Sequence, residues 1–512
     1  MAESTEHRMI SEEVAPVLVA KSLKGFDLIV IFVGIVLFVI NSAGLQFAGP
    51  SLFVFWIISF LTFFVTGAFV TAQLGRMFPE EGSLYVWTHK VLGPFWGFFA
   101  GFVAWWPGPM VMVACGVLAV SFAQQIAVFA GREILTTPFQ QGLVVLAVLW
   151  FGAAISLLRM RMTQNYVNVQ FYFYSGAMFL MGLAGLVWLL GGNEPANSFA
   201  GELYNPLSAA NDSAFGFTTI LGVSIPALFT AYSFCVLALL GIEVPLNMGV
   251  EVEGGEGAIK KYLLWGSAIV MAAYLWSSFG NMVVVPLAEN NAATGGAQAV
   301  AIAFGEWLGV LVSIVLLWFF LTSSAVYNYS FARLLFVSGL EKRLPHQIGK
   351  VNANKVPANA VILQTVIASL LALAIFVFGL VGDDPNKAYL GLFGGVTVVW
   401  CISTALLFLD IFFAKKAAPA KFEEARRVPL GFLYLCGAVG FLANIAAVLF
   451  IFVGQWSTVL FPTLREWNLW MFSITAIAVI VGVAIYIASQ QTRGGKTDEE
   501  FLAESKASGG GG

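Results

Sequence analysis

Ser233-Phe-Cys-Val-Leu-Ala-Leu-Leu-Gly241-Ile-Glu243-Val-Pro245-Leu-Asn247 sets a carboxylate, a glycine and a proline inside one apolar run long enough to cross a bilayer. Glycine weakens the helical ladder and proline removes a backbone donor. The carbonyls and amides so freed need another partner at a depth where water is scarce. An acid beside two helix breakers therefore points to a discontinuous span that binds a polar solute rather than to a simple anchor.

Working outward, the composition carries the same message. Of the 512 residues, 59% are hydrophobic and 10% are charged, whereas a soluble domain has about a quarter of its residues charged. Apolar stretches of roughly 20 residues recur along the chain. They predict twelve spans, from Leu28–Phe47 to Leu469–Ala488, with the sixth at Phe217–Met248. The chain divides into a tail at 1–25, a transmembrane permease domain at 26–490 and a second tail at 491–512. Both tails are expected in the cytoplasm. With the N-terminus inside, only Arg132, Lys387 and Arg465 of the 25 Lys and Arg fall outside, and basic residues mark the inner face. The first span is long, lacks a cleavage site and follows Glu12, Glu13, Lys21 and Lys24, which argues against a removable leader.

Cys115, Cys235, Cys401 and Cys436 all fall in apolar spans without close spacing and read as small buried residues. His7, His89 and His346 lie in the tail or in loops, so no metal or cofactor is expected within the membrane. A catalytic base at depth is missing for the same reason, and the chain is not expected to be an enzyme. The loops are too short for a soluble domain. The Ala507–Gly512 end is set aside as a flexible terminus.

Three motifs carry a family resemblance. Gln73-Leu-Gly-Arg76-Met-Phe-Pro79-Glu-Glu-Gly82-Ser-Leu-Tyr85-Val-Trp87 with Leu92-Gly93-Pro94-Phe-Trp-Gly97 follows the second span. Gly241-Ile-Glu243 lies in the sixth, and Arg333-Leu-Leu-Phe-Val-Ser-Gly339 through Pro345 leaves the eighth. In this order they resemble the amino acid/polyamine/organocation permeases, nearest to the glutamate/4-aminobutyrate antiporter branch. The resemblance implies an all-α, leucine-transporter-type fold: two inverted five-helix repeats, helices one and six broken at mid-membrane, and two further helices. Arg76 and Arg333 then read as inner-side gate or anchor residues, with Glu80 and Glu81 pairing with nearby basic groups.

The site follows from the two breaks. The middle of helix one falls at Gly34-Ile35-Val36-Leu37, with Asn41-Ser42-Ala43-Gly44 as the other candidate. Many family members carry a glycine-serine-glycine triplet at the break, and this chain does not. A half-helix that starts at mid-membrane offers free amides and a partial positive charge, assigned here to Val36 and Leu37 for a substrate carboxylate. The carbonyls of Val33, Leu237 and Leu240 are assigned to an ammonium group, with Gly241 shaping the turn. Family spacing from Pro345 places Tyr327 over the substrate. Glu243 has two readings, a structural acid that holds unwound backbone or a proton-coupling and gating residue. Thr322, Ser323 and Ser324 are the hydroxyls available to a sodium ion, although such runs commonly bond their own backbone.

The function these features imply is secondary active transport of amino acids across the plasma membrane by alternating access, as exchanger or proton symporter. A polyamine or organocation permease is the alternative, with a sodium-coupled carrier or a channel behind it. The expected partners are an amino acid, membrane lipid and, as an open case, a second copy of the chain in a homodimer. Nucleic acid is not among them.

Overall fold

The computed structural model describes residues 9–220, 222–378 and 385–492. The tails expected at 1–25 and 491–512 therefore lie partly outside the described residues. Among those described, twelve helical segments are long and apolar enough to cross a membrane: Gly25–Ala48, Ser51–Met77, Pro94–Phe129, Pro138–Ser156, Met160–Leu190, Ala227–Glu251, Gly255–Val284, Glu306–Leu340, Ala358–Phe376, Lys387–Ala417, Leu430–Ile451 and Leu464–Gln491, numbered here as spans 1 to 12. Apolar residues on all sides of these helices, buried or facing lipid, account for the weak amphipathicity of the sequence.

Spans 1 and 6 are discontinuous. Span 1 is helical over Gly25–Val36, leaves helical geometry at Leu37 (φ −95°, ψ 84°) and resumes over Ile40–Gly44 and Leu45–Ala48. Span 6 runs over Thr230–Leu239, turns extended at Leu240, and restarts as a tight helix over Val244–Glu251 with Pro245 in its first turn, where the missing donor costs little. Gly241 between the halves has φ +105°, a conformation that favours glycine.

The second helix of each repeat also departs from α geometry. Span 2 has a π turn at Phe60–Val65 and span 7 one at Tyr262–Gly266. Each packs on the broken helix of the other repeat, span 1 on the π turn of span 7 and span 6 on that of span 2. Phe32 leaves no room for a side chain at Gly266, while the Tyr262 hydroxyl donates to the Ile242 carbonyl at 3.2 Å and Thr62 meets Tyr232, hydroxyl to hydroxyl, at 2.9 Å. The π turns thus set side chains against the two breaks, a common use of such bulges.

One expectation is corrected at the start of span 6. Residues Phe217–Pro226 are not helical: Phe217–Ile220 pairs antiparallel with Val223–Pro226. The β-branched residues Thr218, Thr219, Ile220, Val223 and Ile225 favour strand, and Gly222 at φ +81° supplies the turn.

Met9 and the helix Ile10–Leu18 lie across one face of the bundle, called here the N-terminal face. The Ser11 amide donates to Glu341 at 2.7 Å, and Lys90 pairs with Glu12 at 2.8 Å. Farther on, Leu23 bridges to Val252, with the amides of Ser22 and Leu23 on the Glu251 carbonyl at 2.9 and 3.0 Å. The segment is tied to the ends of spans 6 and 8.

Candidate functional site

Chain ends at a helix break carry unpaired polar backbone, and three tyrosines satisfy those of span 1. Tyr327 of span 8 donates to the Ile35 carbonyl at 2.8 Å. Tyr274 of span 7 donates to Val36 at 2.8 Å and receives the Phe38 amide at 3.1 Å. Tyr174 of span 5 donates to Leu37 at 2.6 Å and receives the Val39 amide at 3.0 Å. The Tyr274 hydroxyl also lies 3.2 Å from the Ala238 carbonyl of span 6, so the two breaks meet at one oxygen.

This geometry moves the expected cradle. The Leu37 amide still closes a helical bond to the Val33 carbonyl at 2.9 Å, and Val36 is the last residue of the first half. The amides inside the break are those of Phe38 and Val39, each bonded to a tyrosine hydroxyl, and the helix resumes at Ile40. The other candidate, Asn41–Gly44, lies inside the resumed helix. Gly34 packs beneath Val326 of span 8. On span 6, the Leu237 carbonyl receives the Leu240 amide at 3.2 Å, and that of Gly241 receives Val244 at 3.1 Å.

Around the breaks the walls are aromatic. Phe38 contacts Phe319, Phe320, Tyr327 and Phe393. Tyr327 stacks on Phe331, which meets Trp400 edge-on at 5.5 Å. Glu243 is buried, with Oε1 receiving the Trp400 indole N–H at 3.1 Å, and Oε2 has no hydrogen-bond partner among the described residues. Sequence reasoning missed Tyr174, Tyr274, Phe38 and Trp400. Each is one aromatic among many in an apolar span, so no local signal marks it.

The hydroxyl run of span 8 divides. Thr322 donates to its own backbone at Trp318, 2.9 Å away. Thr322 and Ser323 both line a cavity of about 10 Å³ between spans 1, 5 and 8 together with Gln170, and Ser324 does not.

At the N-terminal face, the motif residues converge. Arg333 of span 8 gives Nε and Nη2 to Glu251 Oε1 at 2.9 and 2.7 Å, and its Nε lies 3.7 Å from Glu81 Oε1. Arg76 instead pairs with Glu256 at 3.1 Å, and Glu80 lies 3.4 Å from Lys90. Glu251, the last residue of span 6, was not singled out from sequence.

The amino acid permease family model matches residues 23–493. The chain is 22% identical over 499 residues to the inner membrane transporter YjeM of Salmonella typhimurium, covering 90% of this chain and 94% of that one. It is 23% identical over 280 residues to the "Probable agmatine/putrescine antiporter AguD" of Lactococcus lactis, about half of each chain (54% and 54%). With the polyamine transporter PUT1 of Oryza sativa it shares 27% over 246 residues, 42% of this chain and 43% of that one. Among solved structures, MhsT in complex with L-phenylalanine superposes with a TM-score of 0.57 at 13% identity, covering 83% of this chain and 97% of that one. That likeness carries the leucine-transporter-type fold, with its paired inverted repeats. The two breaks five spans apart and the family match along nearly the whole sequence together place the chain in the amino acid permease family, a multi-pass membrane transporter of the amino acid/polyamine/organocation superfamily.

Proposed function

We propose that the protein moves amino acids across the cell membrane by alternating access, as an exchanger or proton symporter, with both termini in the cytoplasm. The observation that carries this reading is the meeting of the two helix breaks at the Tyr274 hydroxyl. The second half of span 1 points its amide end at this place and the first half of span 6 its carbonyl end. A carboxylate would take the amides of Phe38 and Val39 over from the hydroxyls of Tyr274 and Tyr174, and an ammonium group suits the carbonyls near Leu237 and Leu240. An α-amino acid carries both charges. Val33, Gly34, Ile35, Val36 and Leu37 form the span 1 wall, Gly241 the span 6 turn and Tyr327 the aromatic cover. The Lys and Arg asymmetry supports a cytoplasmic N-terminal face.

A second reading has its own observation. Glu243 Oε2 is buried without a hydrogen bond among the described residues, and two relatives named above carry polyamines in their names. A deep carboxylate oxygen of this kind suits the ammonium of an amine substrate.

Purified protein in sealed vesicles, preloaded in turn with each of the common amino acids, agmatine and putrescine, tests both readings by counterflow. Saturable exchange of an amino acid is the expected result. Polyamine exchange exceeding that of every amino acid replaces the first reading with the second. Ion conductance without counterflow removes both.

A further inference from the structure

The cluster of Glu81, Glu251 and Arg333 holds two carboxylates against one guanidinium, all within 1% of complete burial. Glu251 takes both short contacts from Arg333, and Arg333 spends Nη1 on the Tyr329 carbonyl at 2.9 Å. Glu81 is left with the Val250 amide at 3.2 Å on one oxygen, and its other oxygen meets no hydrogen-bond donor among the described residues. Two ionised acids here would carry one uncompensated buried charge, which proteins neutralise by binding a proton.

Several other charged groups on the elements packed around the cluster have partners of their own. Lys90 pairs with Glu12 and Glu80, Asp27 with Arg161 at 2.6 Å, and Glu256 with Arg76 and Arg427. Glu341 receives the Ser11 amide and the Tyr329 hydroxyl meets Gln164. His89 lies on the helix Ser83–Leu92, and Glu253 lines a cavity of about 890 Å³ at the same face. Glu80 and Val250, chain neighbours of the two acids, line that cavity as well. The cluster therefore sits one residue behind an open vestibule.

We propose that Glu81 and Glu251 share one proton while the cytoplasmic gate is closed and release it to vestibule water when the gate opens. The inference rests on the alternating-access reading. Alternating access would rock spans 1, 2, 6 and 7 against the rest; Glu81 follows span 2 and Glu251 ends span 6, whereas Arg333 belongs to span 8 of the surrounding scaffold. Opening hydrates the acids, and the loss of burial outweighs the loss of Arg333. The O–H bond of the shared carboxyl breaks, its electron pair stays on the carboxylate, and the proton passes to cytoplasmic water. Burial, then the neighbouring Glu251, push the Glu81 carboxyl well above the ordinary carboxylate range, with Arg333 pulling the other way. Because the closed form binds the extra proton, rising pH favours the open form.

The test places a cysteine at Ser330, buried one turn before Arg333, and follows its reaction with a maleimide from pH 5.5 to 8.5. Rates are normalised to the same thiol in unfolded protein. In the parent background the normalised rate should rise by up to about tenfold per pH unit, the limit for one released proton. Glu81→Gln should flatten the rise and Glu81→Asp should retain it. Glu251→Gln gives a second flat profile, which decides the matter if Glu81→Gln does not fold. A flat parent, or an unchanged rise in both glutamine variants, overturns the proposal. Absence of counterflow for every solute alongside a carboxyl-dependent rise removes the carrier reading and leaves the shared proton supported.

Discussion

The hydroxyl of Tyr274 reaches the carbonyl of Val36 at 2.8 Å, joining span 7 to the last helical residue before the break of span 1. The same oxygen receives the Phe38 amide. One fully buried side chain thereby satisfies groups on both sides of the break. Tyr274→Phe strands them. A buried unmet donor or acceptor costs about 1–3 kcal/mol, so a lower melting temperature is expected together with weaker substrate binding. Parent-like melting and parent-like half-saturation in counterflow would show that the backbone finds other partners.

Gly241 is the hinge residue of span 6. Its φ of +105° is strained for any residue with a side chain, and a Cβ would stand 2.7 Å from Ile35 Cγ2 and 3.1 Å from the Trp400 ring. Gly241→Val should cost on the order of 1–3 kcal/mol, most of it at the meeting of the breaks. The variant is expected in the membrane but without ligand-induced stabilisation. Undiminished stabilisation by a substrate found in counterflow would place that substrate elsewhere.

Much of this was legible in sequence because membrane folding leaves few choices. Twelve apolar runs become twelve helices, since unpaired backbone is not tolerated in lipid. The break in span 6 announces itself through Gly241 and Pro245, whose constraints are local. That of span 1 does not. Leu37-Phe38-Val39 has no helix breaker, and what holds it open is three hydroxyls from Tyr174, Tyr274 and Tyr327, more than 130 residues away. Glu81, Glu251 and Arg333 were equally hidden as a group: only two belong to recognised motifs, and the third joins them through the path of span 6.

Spans 5 and 7 approach closely at Gly185 and Gly280. A Cβ on Gly280 would lie 1.9 Å from the Met181 carbonyl oxygen and 2.9 Å from Gly182 Cα. These are backbone atoms and cannot swing aside, so Gly280→Ala should destabilise at or beyond the upper end of the 1–3 kcal/mol typical of overpacking. Gly176→Ala, on the same span 5 with nothing within 4 Å, is the control. It should be neutral or gain up to about 1 kcal/mol of helix propensity. Equal melting of the two variants would contradict the close approach.

Glu243 remains the acid nearest the hinge, and its two oxygens have different surroundings. Oε1 accepts from Trp400 while Oε2 accepts from nothing described. Glu243→Gln keeps the acceptor for Trp400 and the side-chain shape but removes the ability to ionise. The variant should fold with parent-like melting. With the inner pH fixed, so that the Glu81–Glu251 pair is held constant, its transport rate should lose the parent's dependence on outer pH. If the substrate is an amine, putrescine affinity should also fall by about 10- to 100-fold, the loss of one charge-assisted hydrogen bond of about 1.5–3 kcal/mol. An unchanged outer-pH profile with unchanged putrescine affinity would make Glu243 a structural acid that holds Trp400 against the hinge.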